Sequence, residues 1–397
     1  MAVRSAIVLA AGEGKRLRPM TEHRPKPMLP AATRPILAHV FDALVESGIT
    51  EITVVVGYGH NRVQSAFGST YRDVSVTYVT QDKQLGSGHA LSVADSATTS
   101  PCLVVNGDQL VDTQILRDVV DGHDDSVATI GAIQHGDVTD YGGVLLERDE
   151  TGGSPRVREI VENPRDDRGY LLNAGVYVLE QRAIDAIGGA NSRPGEHSLV
   201  DGLATLIEGD ETVRGVRSSG LWIDATYPWD LLEVADALLE ASEGGVDHRI
   251  ASSAKIHDSA TIRGPVVIAE DCVVGPGAVV GPNVCLGENV TVGSNVVCEH
   301  SVIDADTRIG PNATLIDCVS GRGVRVGPGS TVVGGPGDVH VEDRIHRNEG
   351  LGALLADRVR DGGGVTYRPG TIVGSNATLE SGATVSGTID SETEVRS

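Results

Sequence analysis

The sequence predicts an α/β chain in two parts: a doubly wound, mostly parallel sheet, followed by a left-handed parallel β-helix of hexapeptide repeats. Three observations lead there. Up to about residue 243, short β-branched runs alternate with stretches of helical spacing. From Ile250 onward, apolar residues recur every six positions. The whole is 397 residues long, too long for one ordinary core. We therefore expect one domain over 1–243, a linker at 244–249, and a second domain over 250–397 with an insertion near 334–370.

Ala6 to Leu9 reads as a buried first strand, and it runs into Ala10-Ala11-Gly12-Glu13-Gly14-Lys15-Arg16. Two glycines one residue apart let the backbone turn tightly and aim several N–H groups at phosphate oxygens. Arg16 and Lys26 add positive charge close by, and Lys15 and Lys26 are two of only four lysines in the chain. Pro35 can open a helix in which Leu37, Val40, Phe41 and Leu44 share a face, and Gly48 closes it. Ile52–Val56, Val74–Val79 and Cys102–Val105 read as further strands, with helices around 61–67 and 88–97 and a last one from Trp229 to Ser242. In such folds ligands collect at the carboxyl ends of the strands. Gly12 and Asn106-Gly107-Asp108 both follow strands directly.

The second half is built on its own period. Ile250, Ile256, Ile262, Ile268, Val274, Val280, Leu286, Val292 and Cys298 fall six apart, and a small apolar residue follows each of the first eight by four. Turn formers such as Gly275-Pro276-Gly277 and Gly293-Ser294-Asn295 lie between. A large and a small inward residue per six is the pattern of a three-sided β-helix coil. Ile303, Ile309 and Leu315 continue it after a shift of one, and Val373, Leu379 and Val385 resume it beyond the glycine-rich insertion.

A net charge of −23 argues against a nucleic-acid partner, because phosphates would be repelled. Acidity with so little lysine suits a salt-rich cytoplasm. The five cysteines form no CxxC pair, so disulfides and zinc sites are not expected. The apolar run Ala6–Ala11 is too short for a signal-peptide core, and none approaches membrane-spanning length, so a cytoplasmic protein with no membrane partner is expected.

The first segment, Leu9-Ala10-Ala11-Gly12-Glu13-Gly14-Lys15-Arg16-Leu17-Arg18-Pro19 with Thr21 and Lys26, resembles the opening of the nucleotide-sugar pyrophosphorylases, the sugar-1-phosphate nucleotidylyltransferases. Lys15 stands where that family carries Ser or Thr. The resemblance implies a Rossmann-like nucleotidyltransferase fold and a role for each matching residue. Arg16 would hold the pyrophosphate and Lys26 the reacting phosphates. Leu9, Ala11, Gly12 and Gly14 would bind nucleotide together with Gln81, Gly86 and Ser87, which match a Q-x4-G-[ST]-x-H-A element that reads a pyrimidine. Gly142, Glu162 and Asn173 match sugar-contacting positions, with Asn163 where many relatives have lysine. Asp108 and the Asp224 of Trp222-Ile223-Asp224 match the ligands of a magnesium ion, Mg²⁺.

With the β-helix added, the chain resembles the bifunctional N-acetylglucosamine-1-phosphate uridylyltransferase/glucosamine-1-phosphate acetyltransferase type and its single-activity relatives. That implies a nucleoside triphosphate, UTP favoured, and a sugar 1-phosphate as substrates, with acetyl-CoA only if the second domain is active. For the acetyl transfer of that type, His300, His340 and His346 are available as bases, while Tyr367 is the only tyrosine and Lys255 the only lysine after residue 250. Two other readings stay open: a UTP or dTTP glucose-1-phosphate enzyme whose β-helix only assembles a homotrimer or larger oligomer, and a non-catalytic regulatory subunit of the same folds.

Overall fold

The structure is a computed structural model, and it describes residues 3–136, 138–147, 154–189, 197–241 and 248–396. The chain forms two compact units. The first takes the chain up to Glu13 and then Ile36–Ile223; the second takes Gly14–Pro35 and everything from Asp224 onward. The units are thus interleaved in sequence: the loop Gly14–Pro35 belongs to the second unit although it follows the first strand of the first.

The first unit is organised around one ten-stranded sheet. Its strands are β1 (Ser5–Ala10), β2 (Glu51–Val56), β3 (Thr70–Tyr71), β4 (Val74–Thr80), β5 (Cys102–Asn106), β6 (Ala128–Ile133), β7 (Gly142–Glu147), β8 (Arg156–Glu162), β9 (Leu171–Leu179) and β10 (Val213–Ser218). They lie in the order β7-β8-β10-β6-β9-β5-β1-β2-β4-β3. The pairs β1–β2, β1–β5 and β2–β4 are parallel, as the strand–helix alternation predicts. Beyond β5 the sheet is mixed: β9 runs antiparallel to both β5 and β6, and β7 antiparallel to β8. The sequence hides this reversal because β9 is buried along its full length and reads like a parallel core strand.

The chain runs outward from β1 through β2 to β4 and then returns to the other side of β1 as β5. The order therefore reverses between β1 and β5, and the crevice at their carboxyl ends is where a ligand fits. Helices α1 (Ile36–Glu46), α2 (His60–Phe67), α3 (Ser87–Ala94), α4 (Thr113–Asp121), α5 (Gln181–Gly189) and α6 (Leu199–Glu208) belong to this unit. Leu37, Val40, Phe41 and Leu44 of α1 are buried, following the helical period.

In the second unit, short strands from His248–Ile250 to Glu394–Val395 stack into three parallel sheets of eight, eight and seven strands, the sides of a left-handed β-helix. Val266 pairs with Val284, 18 residues on, and Val284 with Ser301, 17 on, which is the one-residue shift visible in the repeat. Asn283, Asn289, Asn295, Asp306 and Asn312 turn the corners at positive φ, a conformation that short amide and acid side chains tolerate best. Val274, Val280, Leu286, Val292 and Cys298 fill the interior. Ile250, at the open end of the stack, is 40% exposed.

The insertion is a hairpin, Gly337–Val341 with Arg344–Glu349, and coil strands resume at Ala353–Leu355, so it is narrower than its glycine content suggests. Helix α7 (Asp230–Glu240) packs on Pro30–Ala31 and on the coil strand Ser301–Ile303 of the same unit. Ser242, expected as its last residue, and positions 244–247 of the expected linker lie outside the described residues. All five cysteines are free and buried. Among the described residues no helix is long and apolar enough to cross a membrane.

Candidate active site

A cavity of about 640 Å³ opens where β1 and β5 end. Leu9 lines it from the end of β1, Ala11 and Gly12 from the loop that follows, and Asp108 from the turn after β5. Register explains the meeting, since Leu9 sits beside Asn106 across the parallel pair. Gln81, Gly86 and Ser87 line the same cavity from the segment joining β4 to α3.

Two of these glycines differ in what they permit. A Cβ on Gly12 would meet nothing within 4 Å, so the backbone there borders open space. Gly86 has φ +99°, and a Cβ would stand 2.5 Å from the His197 carbonyl oxygen, so no other residue fits there without moving the chain. Gln81 Nε2 donates to the Gly86 carbonyl at 3.1 Å and lies 2.9 Å from His89 Nδ1. Ser87 Oγ accepts from Leu199 N–H at 3.0 Å.

Three more residues line this cavity that were not among the expected site residues. Gln84 lines it and donates to the Ala11 carbonyl at 2.8 Å, holding the glycine loop. Asn106 and Gln109 flank Asp108 and bond to each other at 3.0 Å. Their signal is position alone, at the end of a buried strand.

Gly142, Glu162 and Asn173 gather on three strands. Gly142 is the register partner of Glu162 across β7 and β8. A Cβ on Gly142 would stand 3.1 Å from Asn173 Cβ. Asn173 donates to Tyr177 OH at 2.8 Å and accepts from Gly175 N–H at 3.2 Å, so its plane is fixed. Beside them Tyr141, His135 and Trp222 meet edge to face, a cluster the sequence did not announce. Asn163 adopts φ +50°, where a lysine would be strained.

The second unit holds Gly14, Arg16, Lys26 and Asp224. Lys26 Nζ lies 2.8 Å from Asp224 Oδ1, with 9% and 12% of the two side chains exposed. Thr226 Oγ1 donates to Asp224 Oδ2 at 2.6 Å. Gly14 has φ +64°, and a Cβ there would stand 2.9 Å from Lys26 Cβ. Arg16 lies over the ring of Tyr227 at 5.5 Å, and that ring stacks on Trp229 at 4.7 Å. Asp230 accepts the N–H groups of Thr226 and Tyr227, both at 2.7 Å, and burial pushes its carboxyl up to about 7.

Asp108 and Asp224 are oxygen donors, which suits a hard cation such as Mg²⁺. Among the described residues no three His, Cys, Asp or Glu side chains gather as a ready-made metal cage. A site of one or two carboxylates completed by phosphate oxygens and water is the kind Mg²⁺ accepts.

The Nucleotidyl transferase family model matches residues 5–241, more than half of the chain. The chain belongs to the nucleotidyl transferase family. A second model, the GMPPB C-terminal domain, matches residues 262–390. A "Bifunctional protein GlmU" of Methanocaldococcus jannaschii is 30% identical over 409 residues, spanning 98% of this chain and 97% of its own length. A protein of the same name from Methanococcus maripaludis is 32% identical over 254 residues, 63% of this chain, and the match spans only 58% of that relative. "UTP--glucose-1-phosphate uridylyltransferase AglF" of Haloferax volcanii is 30% identical over 59% of this chain and 96% of its own length. Among solved structures, a UDP-glucose pyrophosphorylase complexed with UDP-glucose superposes with a TM-score of 0.55 at 20% identity, covering 60% of this chain and all of that one, which speaks for the fold alone.

In this family member's β-helix three of the five side chains considered for acetyl transfer, Tyr367, His300 and His346, are engaged, while His340 is exposed on the hairpin. Tyr367 is fully buried and donates to Asp361 at 2.7 Å. His300 sits between Asp236, 3.0 Å from Nε2, and Asp317, 2.5 Å from Nδ1. His346 lies against Tyr227 and Trp229, with ring centroids 4.6 and 5.2 Å away. Lys255 is exposed on an end coil.

Proposed function

We propose that the protein is a sugar-1-phosphate nucleotidylyltransferase. It would join a nucleoside triphosphate, UTP by preference, to N-acetylglucosamine 1-phosphate or glucose 1-phosphate, giving the nucleotide sugar and pyrophosphate. The observation that carries this reading is the cavity at the β1–β5 reversal, where the glycine loop, Gln81 and the Asp108 carboxylate line one space. Family membership supports the reaction class.

The chemistry needs no covalent intermediate. A phosphate oxygen of the sugar 1-phosphate attacks the α-phosphorus, the bond to the β-phosphate oxygen breaks, and its electron pair leaves with pyrophosphate. The barrier is repulsion between anions and charge gathering on the leaving group. The loop N–H groups after β1 receive the phosphates, Arg16 takes charge of the pyrophosphate, and Lys26 stands at the reacting phosphates. Gln81 orients the base, while Gly142, Glu162 and Asn173 orient the sugar, so the attack is set up in line. Mg²⁺ held by Asp108 and Asp224 would neutralise phosphate oxygens when bound.

For the β-helix we propose assembly of a homotrimer or larger oligomer through its flat sides. The engaged Tyr367 and His300 support a scaffold over an acetyl transferase. We also propose a cytoplasmic location. Pyrophosphate release, assayed with Mg²⁺ over a grid of triphosphates and sugar 1-phosphates, tests the first activity; thiol release from acetyl-CoA tests the second. No pyrophosphate from any pair would leave the regulatory-subunit reading standing.

A further inference from the structure

We propose that Arg24 is a positioning residue for nucleotidyl transfer: it locks the loop bearing Arg16 and Lys26 onto the coils of the β-helix, making that domain a working part of the transfer reaction. This rests on the reading above.

Arg24 is 3% exposed. Its Nη1 lies 2.5 Å from Asp304 Oδ2 and its Nη2 3.5 Å from Asp357 Oδ1, and both carboxylates are themselves buried. Asp304 follows the coil strand Ser301–Ile303 and Asp357 follows Ala353–Leu355, on either side of Cys318–Ser320 in the same sheet. The β-helix backbone holds both acids independently of Arg24. Asp304 Oδ1 accepts from Ala305 N–H at 2.7 Å, and Asp357 Oδ1 from Arg322 N–H at 3.0 Å. One guanidinium thus bridges two fixed acids, which its planar fork can do and an ammonium cannot.

A buried ion network is a poor source of stability, because desolvating each charge offsets most of the attraction. What such a network supplies well is a unique register. Here it registers a loop that in sequence follows β1 of the other unit. Arg24 Nε is buried with no hydrogen-bond partner, so the fork has been placed for its two acids at the expense of its third donor.

The position is passed on stiffly. Arg24-Pro25-Lys26-Pro27 leaves few soft dihedrals, with Pro25 at φ −69° and a single 3₁₀ turn closed by Met28 N–H to Pro25 O at 2.9 Å. A displacement of Arg24 therefore moves Lys26 off Asp224. A second tether acts on the same loop, since Ser391 Oγ donates to Glu22 Oε2 at 2.7 Å.

The test uses the full-length protein. Arg24→Gln alone strands two buried carboxylates, so the decisive variant is the triple Arg24→Gln/Asp304→Asn/Asp357→Asn, which keeps shape and removes the guanidinium with both carboxylates it bridges, leaving only the exposed Arg322, 3.9 Å from Asp304. Arg24→Lys is the conservative control. The expected result is a folded triple variant in which KM for the nucleoside triphosphate rises roughly 10- to 100-fold, with KM for the sugar 1-phosphate unmoved and Arg24→Lys in between. Amide hydrogen exchange of Leu17, Met20 and Met28 should accelerate in the triple variant. That measurement needs no turnover, so it separates this inference from the proposed reaction. Slow, wild-type exchange at those amides would overturn the inference, as would wild-type kinetics or a fall in kcat with neither KM changed, the mark of a merely smaller folded fraction.

Discussion

Lys26 and Asp224, 198 residues apart in sequence, meet in an almost buried ion pair, Nζ to Oδ1 at 2.8 Å. Each is expected to face phosphate chemistry, one through its own charge and the other through a cation. Pairing them holds both in place, since neither charge could be buried alone at acceptable cost.

Lys26→Ala therefore has two effects. It removes a positive charge from the reacting phosphates, which lowers turnover by about 10²-fold or more. It also leaves Asp224 without its ammonium, which destabilises by about 3–5 kcal/mol if the carboxylate stays buried. Asp224→Asn keeps an acceptor for the Thr226 hydroxyl but strands the Lys26 ammonium, so it should lose stability as well as activity. Thermal melts beside pyrophosphate release check both.

Two glycine substitutions separate binding from folding. Gly12→Ala adds a methyl group into open space, so the melting temperature should hold while KM for the triphosphate rises. Gly86→Ala must displace the His197 backbone, which lies 2.5 Å from the new carbon, at a residue with φ +99°, so it should lose stability as well. Equal melting temperatures for the two variants would contradict the packing described.

The fold was largely legible because its signals are periodic. A repeat of six marks the β-helix whatever the exact residues, and strand–glycine–helix alternation marks β1, β2 and α1. The antiparallel return through β9 was not, since an all-apolar strand carries no record of its direction. The residues around the β1–β5 cavity could be named because they follow strands at fixed spacing. Gln84, Arg24 and the aromatic cluster at Trp222 could not, because their meaning lies in partners distant along the chain: Ala11 for Gln84, Asp304 and Asp357 for Arg24, Tyr141 and His135 for Trp222.

His300 predicts a pH dependence. Hydrogen bonds to Asp236 and then Asp317 push its imidazole up to about 10, from an ordinary value of 6.5. A raised value means that the folded state holds the proton more tightly, so this contribution to stability is complete below about pH 6.5 and is lost as pH rises through about 10. Melting temperature should fall across that window, and His300→Gln should flatten the fall. A variant with the wild-type slope would place the pH dependence elsewhere.

Chelation gives the metal prediction. Excess chelator should stop pyrophosphate release, and added Mg²⁺ or Mn²⁺ should restore it. Asp108→Asn should raise the concentration of Mg²⁺ needed for half-maximal rate without a large change in melting temperature, because Asp108 lines a cavity rather than the core.

The central claim is that these carboxylates and cations drive nucleotidyl transfer, and its most direct test is pyrophosphate released from UTP and a sugar 1-phosphate with Mg²⁺ present. Steady release by the wild-type protein, cut about 10²-fold or more in folded Lys26→Ala and Asp108→Ala, is the predicted result. Near-normal release by either variant would contradict the account.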